Sequence, residues 1–245
     1  MGQFNMKVAG QVARVTTLFE STQEYFRPYL TQEDADFTVT TTEADMALIQ
    51  RLRIEEAIRE GIRIRHYNGP YLERASVQLK FAEHLLRHRT LLFHGSAVAL
   101  DGEGYLFTAD CGVGKSTHTR LWREVFGDRA VMINDDKPFL RLTDDSVLVC
   151  GSPWSGKLGL DTNLCVPLKG ICMLHRGPEN RIAPISIPDA LPMLRKQSHC
   201  PLDPGLYEEY LALVDTLAAN VPLWQMECNK EPQAAKVSQA AMSRT

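Results

Sequence analysis

Near the middle of the chain the sequence reads Ala109-Asp-Cys-Gly-Val-Gly-Lys-Ser116. A predicted strand, Tyr105 to Thr108, precedes it, and a predicted helix, Ser116 to Phe126, follows it. A glycine-rich turn between a strand and a helix can wrap its backbone N–H groups around a phosphate, and the helix start adds the positive end of its dipole. The sequence therefore predicts a phosphate-binding loop, with one departure from the usual pattern, because Ala109 stands where the first glycine is expected.

The residues of this loop have separate expected roles. Lys115 supplies a cation for the outer phosphates, and Ser116 supplies a hydroxyl for a magnesium ion, with Thr117 as a second hydroxyl. Lys157, at the end of a later predicted loop, either closes over the phosphates or lies in an ordinary surface turn. We interpret the glycine-rich stretch as a nucleotide-binding P-loop rather than an incidental strand-to-helix turn. Its expected anion nest consists of the backbone N–H groups of Cys111, Gly112, Val113 and Gly114.

An apolar strand is predicted from Thr90 to Leu100, followed by a hairpin turn at Asp101-Gly-Glu-Gly104. The strand that leads into the P-loop is therefore expected to pair antiparallel with its predecessor, whereas most P-loop enzymes have a parallel neighbour there. His94 lies within this predicted strand. A lone histidine in an apolar strand is more often a core residue than a catalytic one, so the residues alone leave its role open.

Two adjacent carboxylates, Asp135 and Asp136, follow the next predicted strand, Ala130 to Ile133. Because helical crossovers connect parallel strands, the end of this strand is expected to return to the sheet edge where the P-loop lies. A magnesium ion bound to phosphates needs an anionic protein ligand, and a hydroxyl nucleophile needs a proton acceptor. The pair predicts these two functions without deciding which aspartate has which, and a solvated turn is the alternative.

Together these features carry a family resemblance. The segment from about His94 to Lys157 resembles the catalytic domain of HPr kinase/phosphorylase and, more distantly, the nucleotide domain of phosphoenolpyruvate carboxykinase. The resemblance implies an α/β fold with a mixed-sheet P-loop core, a kinase that uses ATP and magnesium, and a strand histidine near the phosphates. It does not extend to residues 1–89, so that enzyme's protein substrate is not implied. The residues that carry it are His94-Gly95, Asp110 to Ser116 and Asp135-Asp136, and the candidate catalytic residues are His94, Lys115, Asp135 and Asp136.

No linker or repeat interrupts the sequence, but its patterns differ along the chain. Val8, Val12 and Val15 lie among polar residues in a predicted strand, although their spacing also suits a helix. Ser21-x-x-Glu24 predicts the capping box of a short helix. We expect an α+β part of unknown function at 1–89, a P-loop kinase-like domain at 90–227 and a C-terminal tail at 228–245.

Composition narrows the class of protein. The chain has 245 residues, 44% of them hydrophobic, and a formal net charge of −3, which is typical of a globular protein and argues against nucleic acid as the main partner. No apolar run reaches transmembrane length and no signal-peptide core is seen, so a cytoplasmic location without a membrane partner is expected. The six cysteines form no C-x-x-C pair and are expected to be reduced and mostly buried. Alkylation of Cys111 is expected to block nucleotide binding.

The function expected from the sequence is a Mg-ATP-dependent kinase that transfers the γ-phosphoryl group to a hydroxyl of a small molecule, peptide or protein. A nucleotide-binding sensor module without catalysis is the alternative. Carboxykinase-type lyase chemistry is a third possibility, and it would require an arginine cluster for a dicarboxylate. The acceptor, the choice between ATP and GTP and oligomerisation stay open. The arginines available for such a cluster are Arg120, Arg123, Arg141 and Arg176.

Overall fold

The computed structural model describes residues 2–110 and 112–244, with the side chain of Glu60 left aside. The chain divides into two compact units, Met1–His84 and Leu85–Thr245. Helices and strands alternate in the second unit around a mixed sheet, so the expected α/β class is confirmed. Among the described residues, no helix has both the length and the apolar character needed to cross a membrane.

The first unit contains a small sheet in which β2 is the central strand. Its elements are β1 (Gly2–Val8), β2 (Gln11–Thr17), α1 (Glu20–Tyr25), β3 (Phe37–Thr40), α2 (Glu43–Glu60) and α3 (Gly69–Leu86). β1 pairs antiparallel and β3 pairs parallel with β2. The prediction of one strand across Val8 to Val15 is therefore incomplete. Ala9 and Gly10, with φ of 51° and 81°, turn the chain between two strands.

The capping box of the first unit lies elsewhere than predicted. α1 begins at Glu20, so Ser21 lies inside the helix and cannot cap it. The box forms instead at the start of α2, where the Thr42 hydroxyl accepts from the Asp45 N–H and the Asp45 carboxylate accepts from the Thr42 N–H. A Ser, Thr or Asp three residues before an acidic side chain is a common sequence pattern. The hydrophobic residues that follow decide which occurrence of the pattern begins a helix.

A buried carboxylate joins the elements of the first unit. Glu73 of α3 is fully inaccessible to solvent. Its two oxygens accept hydrogen bonds from the N–H groups of Leu18 and Phe19 and from the hydroxyls of Thr22 and Thr41, at 2.5 to 3.2 Å. A carboxylate offers about four lone-pair sites, and these four donors occupy them all. Glu73 therefore ties the end of β2, α1 and the end of β3 to α3.

The second unit is built on a large mixed sheet. Its strands are β4 (Thr90–Leu92), β5 (Ser96–Leu100), β6 (Glu103–Thr108), β7 (Ala130–Asn134), β8 (Phe139–Leu142), β9 (Val147–Cys150), β10 (Cys165–Arg176), β11 (Arg181–Pro184) and β12 (Leu223–Cys228). Its helices are α4 (Lys115–Phe126), α5 (Ile187–Gln197), α6 (Tyr207–Asn220) and α7 (Gln233–Met242). The strand order is β4-β8-β9-β10-β6-β5-β7, with β12 parallel to β10 and β11 antiparallel to β12.

Three neighbouring strands bring the two predicted halves of the site to one edge. β5 and β6 form the predicted antiparallel hairpin, with Asp101 and Gly102 at its turn. β7 pairs antiparallel with the other side of β5. β6 and β7 therefore run in the same direction with β5 between them, and their carboxyl ends lie at the same edge of the sheet.

The prediction of one strand from Thr90 to Leu100 is wrong. β4 pairs with β8, whereas β5 pairs with β6 and β7, so the two halves of this apolar run lie in different parts of the sheet. His94 and Gly95 form the crossing between them. A Cβ on Gly95 would lie 2.8 Å from the Leu106 side chain, so only glycine fits there without a shift. Apolarity alone does not reveal where a strand changes its partner.

Two of the six cysteines are not reduced, contrary to expectation. Cys150 and Cys165 form a disulfide, with their Cα atoms 4.1 Å apart. They are directly opposite each other in the antiparallel pairing of β9 and β10. Cys172 is a free and fully buried thiol, as expected, and burial raises its pKa well above the usual range.

Helix α7 packs on helix α4 through a small polar network. The Trp122 indole N–H donates to the Ser238 hydroxyl at 2.9 Å, and His118 Nε2 lies 3.0 Å from the same oxygen. All three side chains are buried. Burial lowers the pKa of His118 to about 4, so its ring is neutral at neutral pH. The network therefore joins the C-terminal helix to the helix that follows the glycine-rich loop.

Candidate functional site

The glycine-rich loop lies between β6 and α4, as the sequence predicts. Gly112 and Gly114 have φ of 78° and 129°, a region that side-chain-bearing residues rarely adopt. The Val113 N–H donates to the Asp110 carbonyl at 3.3 Å, so this member of the expected anion nest already closes a turn. Cys111, with its expected amide contact and its alkylation test, lies outside the described residues.

Lys115 starts α4 and is largely buried. Its ammonium group donates to the carbonyl of Ala109 at 3.0 Å, so the side chain folds back across the loop. Its positive charge also contributes to lowering the pKa values of Asp110 and Asp136. In the first turn of the same helix Ser116 is exposed, and its hydroxyl is open to a ligand or solvent.

Two cations outside the motif hold the loop. The Arg176 guanidinium, at the end of β10, donates to the carbonyls of Val113, at 3.2 Å, and Gly112. Lys196, near the end of α5, pairs with the Asp110 carboxylate at 2.6 Å and lowers the pKa of that carboxyl. The sequence did not assign either residue to the loop, because each lies more than sixty residues after the loop residue that it contacts.

Strand β7 ends at Asn134, immediately before the two aspartates. The side-chain oxygen Oδ1 of Asn134 accepts from the backbone N–H groups of Asp136 and Lys137, at 2.8 and 2.6 Å, and so turns the chain out of the sheet. The Asn134 amide donates to the backbone and hydroxyl oxygens of Ser152. Because the strand stops at Asn134, the alternation of side chains no longer separates Asp135 from Asp136.

Asp136 and His94 form a pair at this edge. His94 Nε2 lies 3.3 Å from an Asp136 oxygen, and the Gly95 N–H donates to the Asp136 carbonyl at 3.0 Å. Burial raises the pKa of Asp136, but the His94 hydrogen bond and the charges of Lys137 and Lys115 lower it by more. The pKa of His94 is lowered: its bond to Asp136 raises it, but burial and the same two lysines outweigh this. Asp136 therefore stays ionised beside a neutral imidazole.

Asp135 has a different environment from its neighbour. It is 5% exposed, and its carboxylate accepts a hydrogen bond from the Gly156 N–H. Burial raises its pKa, the negative charges of Asp136 and Asp161 raise it further, and hydrogen bonds from backbone N–H groups offset this only in part. Gly156 belongs to the segment between Cys150 and Cys165. Lys157, the next residue, is exposed and makes no hydrogen bond to the glycine-rich loop within the described chain.

The oxygen donors at this edge suit magnesium better than a softer metal. Among the described residues, no group of three or more His, Cys, Asp or Glu side chains is arranged to hold a metal ion by itself. Magnesium, however, is usually bound through one or two carboxylates, with phosphate oxygens and water completing its shell. The Ser116 hydroxyl and the carboxylates of Asp135 and Asp136 are donors of this type.

Comparisons with known proteins do not identify a family for this chain. No protein family model and no curated protein matches the sequence. Among solved structures, the chain has a distant similarity to the HPr(Ser) kinase/phosphatase from Coxiella burnetii, with 13% sequence identity and a TM-score of 0.36 over 62% of this chain and 98% of that chain. We therefore base the functional assignment on the chain's own residues.

Proposed function

We propose that the second unit is a P-loop kinase core that transfers the γ-phosphoryl group of Mg-ATP to a hydroxyl of a small molecule, peptide or protein. The observation that carries the proposal is the convergence of two predicted motifs at one sheet edge. The glycine-rich loop follows β6, and the carboxylates of Asp135 and Asp136 follow the co-directional β7. Phosphoryl transfer needs a phosphate-binding loop, an anionic metal ligand and a proton acceptor in one place.

The loop would bind the nucleotide phosphates. The Gly114 N–H and the first N–H groups of α4 can donate to phosphate oxygens, and the helix dipole favours negative charge there. Lys115 would exchange its bond to the Ala109 carbonyl for a phosphate oxygen, which places a positive charge where negative charge develops. Lys196 offsets the charge of Asp110, which would otherwise repel the phosphates.

The environments of the two aspartates suggest how their roles divide. The pKa of Asp136 is lowered, so its carboxylate is ionised at neutral pH and would hold magnesium together with Ser116. Asp135 accepts from the Gly156 N–H in the segment between Cys150 and Cys165, and it would accept the proton of the acceptor hydroxyl. Magnesium, when bound, would supply positive charge that offsets the negative charge of the phosphates. His94 would orient Asp136 through the hydrogen bond from its Nε2–H, which is the single N–H of the neutral ring.

The test is ADP release from the purified protein with Mg-ATP, with and without a pool of hydroxyl metabolites and peptides. Acceptor-stimulated release that Lys115→Ala lowers by about 10²- to 10³-fold would support the kinase, because one preorganised charge contributes about that much. Lys169→Ala is the matched control, since it removes a surface lysine paired with Glu103 on the sheet. Lys115-dependent nucleotide binding without stimulated turnover would instead support the sensor module.

Carboxykinase-type chemistry has less support. Of the four arginines considered for a dicarboxylate site, Arg176 alone among the described residues contacts the glycine-rich loop. Arg120 pairs with Glu124 on the surface of α4, and Arg141 lies on β8, which is separated from β6 by β9 and β10. Within the described part of the chain, no hydrogen bond found for Arg120, Arg123 or Arg141 joins its guanidinium group to Arg176 at the loop.

A further inference from the structure

The disulfide closes the segment that covers Asp135. Cys150 ends β9 and Cys165 begins β10, with a sequence separation of 15. The bond therefore pins both ends of residues 151–164 at one point of the sheet. This segment has little regular structure of its own, so its conformation depends on the closure and on contacts with its surroundings.

Those contacts lie along the end of β7. The Thr162 N–H donates to the Ile133 carbonyl at 3.0 Å, and Asp161 forms a bridge with Asn134. The Ser152 hydroxyl donates to the Lys137 carbonyl at 2.6 Å. The segment thus contacts the residues immediately before and after the two aspartates.

Gly156 makes the contact with the carboxylate itself. Its N–H donates to Asp135, and a Cβ at this position would lie 2.9 and 3.0 Å from the two Asp135 oxygens. A backbone N–H can approach the carboxylate this closely only because residue 156 has no side chain. The position of Asp135 therefore depends on where the segment places Gly156.

We propose that the segment closed by Cys150 and Cys165 is a positioning element for Asp135, so that phosphoryl transfer is fast only when the disulfide is formed. The inference rests on the proposed function. A dithiol reductant would deliver two electrons and two protons, giving the thiols of Cys150 and Cys165 and a cyclic disulfide of the reductant. The freed segment gains conformational freedom, and the Gly156 N–H is then no longer held against the carboxylate.

The reductant acts on the Cys150–Cys165 bond and not on the phosphate loop. Loss of the position of Asp135 can therefore be distinguished from a general loss of structure. We expect reduction to lower kcat for Mg-ATP hydrolysis, with water as the acceptor, by about tenfold, because a displacement of about 1 Å at a reacting group can cost that much or more. KM for ATP should change less than about twofold, since the contacts of Lys115 and Arg176 to the loop stay in place. Reoxidation should restore kcat.

Two variants test the same contact without a reductant. Cys150→Ala/Cys165→Ala should have the low kcat under both conditions while keeping the other cysteines, which tests whether those thiols contribute to the reductant effect. Gly156→Ala should lower kcat with the disulfide intact and KM for ATP retained. Leu158→Ala is the matched control, because Leu158 is an exposed side chain in the same segment and should leave kcat unchanged.

The outcomes separate this inference from the proposed function. Lys115-dependent hydrolysis with equal kcat in the oxidised and reduced protein would overturn the positioning role and leave the kinase proposal standing. A purified protein whose six cysteines all titrate as thiols would also overturn it. Absence of Lys115-dependent turnover in both redox states would overturn the proposed function, and the positioning role with it.

Discussion

Each unit of the molecule contains a carboxylate buried among hydrogen-bond donors. The two sites differ in whether acceptor positions are left for a ligand. In the first unit Glu73 accepts four hydrogen bonds, two on each oxygen, from three segments of chain. In the second unit the buried Asp135 accepts from the Gly156 N–H, and Asp136 lies beside it against His94. Glu73 completes a scaffold, whereas the aspartates form an arrangement with acceptor capacity left for a ligand.

The difference shows that burial of a charge does not by itself mark a functional site. A buried carboxylate whose lone pairs are all taken by protein donors is a structural residue. Asp135 and Asp136 lie at a strand end, next to a loop of backbone N–H groups and a buried lysine, and the donors found for them among residues 2–110 and 112–244 are fewer than those of Glu73.

The largest expected effect is on turnover, at the aspartates. Asp135→Asn should lower kcat by about 10²- to 10³-fold with little change in magnesium dependence, because it removes the proton acceptor but keeps the shape of the side chain. Asp136→Asn should instead raise the magnesium concentration needed for half-maximal rate. Steady-state kinetics over a magnesium titration distinguishes the two. Identical behaviour of the two variants would contradict the division of roles.

The second effect is on stability, at Glu73. Glu73→Gln puts an amide NH₂ where two donors already point, so at least one buried donor loses its acceptor. We expect the first unit to lose about 3 kcal/mol of unfolding free energy, measured by urea denaturation. Glu83→Gln on the same helix is a suitable comparison, since Glu83 is not part of this buried network. A Glu73 variant as stable as the wild type would mean that the four hydrogen bonds do not hold this unit together.

The smallest effect concerns Arg176. A trans peptide unit points its C=O and the next N–H in opposite directions, so a guanidinium that holds the Val113 carbonyl turns the Gly114 N–H the other way. Arg176→Ala should therefore weaken binding of a non-hydrolysable ATP analogue by about tenfold, or about 1.4 kcal/mol. Calorimetry measures this, with the surface variant Arg181→Ala as control. Unchanged affinity would show that the glycine-rich loop keeps its conformation without the Arg176 contact.

Local sequence patterns predicted the parts of the site that depend on neighbours in the chain. The strand, glycine turn and helix from Tyr105 to Phe126 and the strand ending before Asp135 follow from propensity and turn chemistry. The hairpin at Asp101 follows in the same way. The proposed roles of these residues stay predictions until tested.

What the sequence could not predict depends on contacts between distant segments. The strand breaks at His94 because β4 pairs with β8 whereas β5 pairs with β6. The apolar run of sequence contains no residue pattern that marks this change of partner. The Cys150–Cys165 bond depends on the register of β9 against β10, which no cysteine spacing reveals. The contact of Arg176 with the loop depends in turn on β10 lying next to β6.

The packing of α7 on α4 also gives the molecule an optical reporter. The indole of Trp122 is fully buried, packs at a tilt against Tyr105 with ring centroids 4.7 Å apart, and donates to Ser238 of the C-terminal helix. An indole in such a setting emits at short wavelength, and emission shifts to longer wavelength when water reaches it. Because Trp122 lies on the helix that begins at Lys115, its fluorescence in a Trp154→Phe/Trp224→Phe background should follow detachment of α7 from the phosphate-loop helix without an added label.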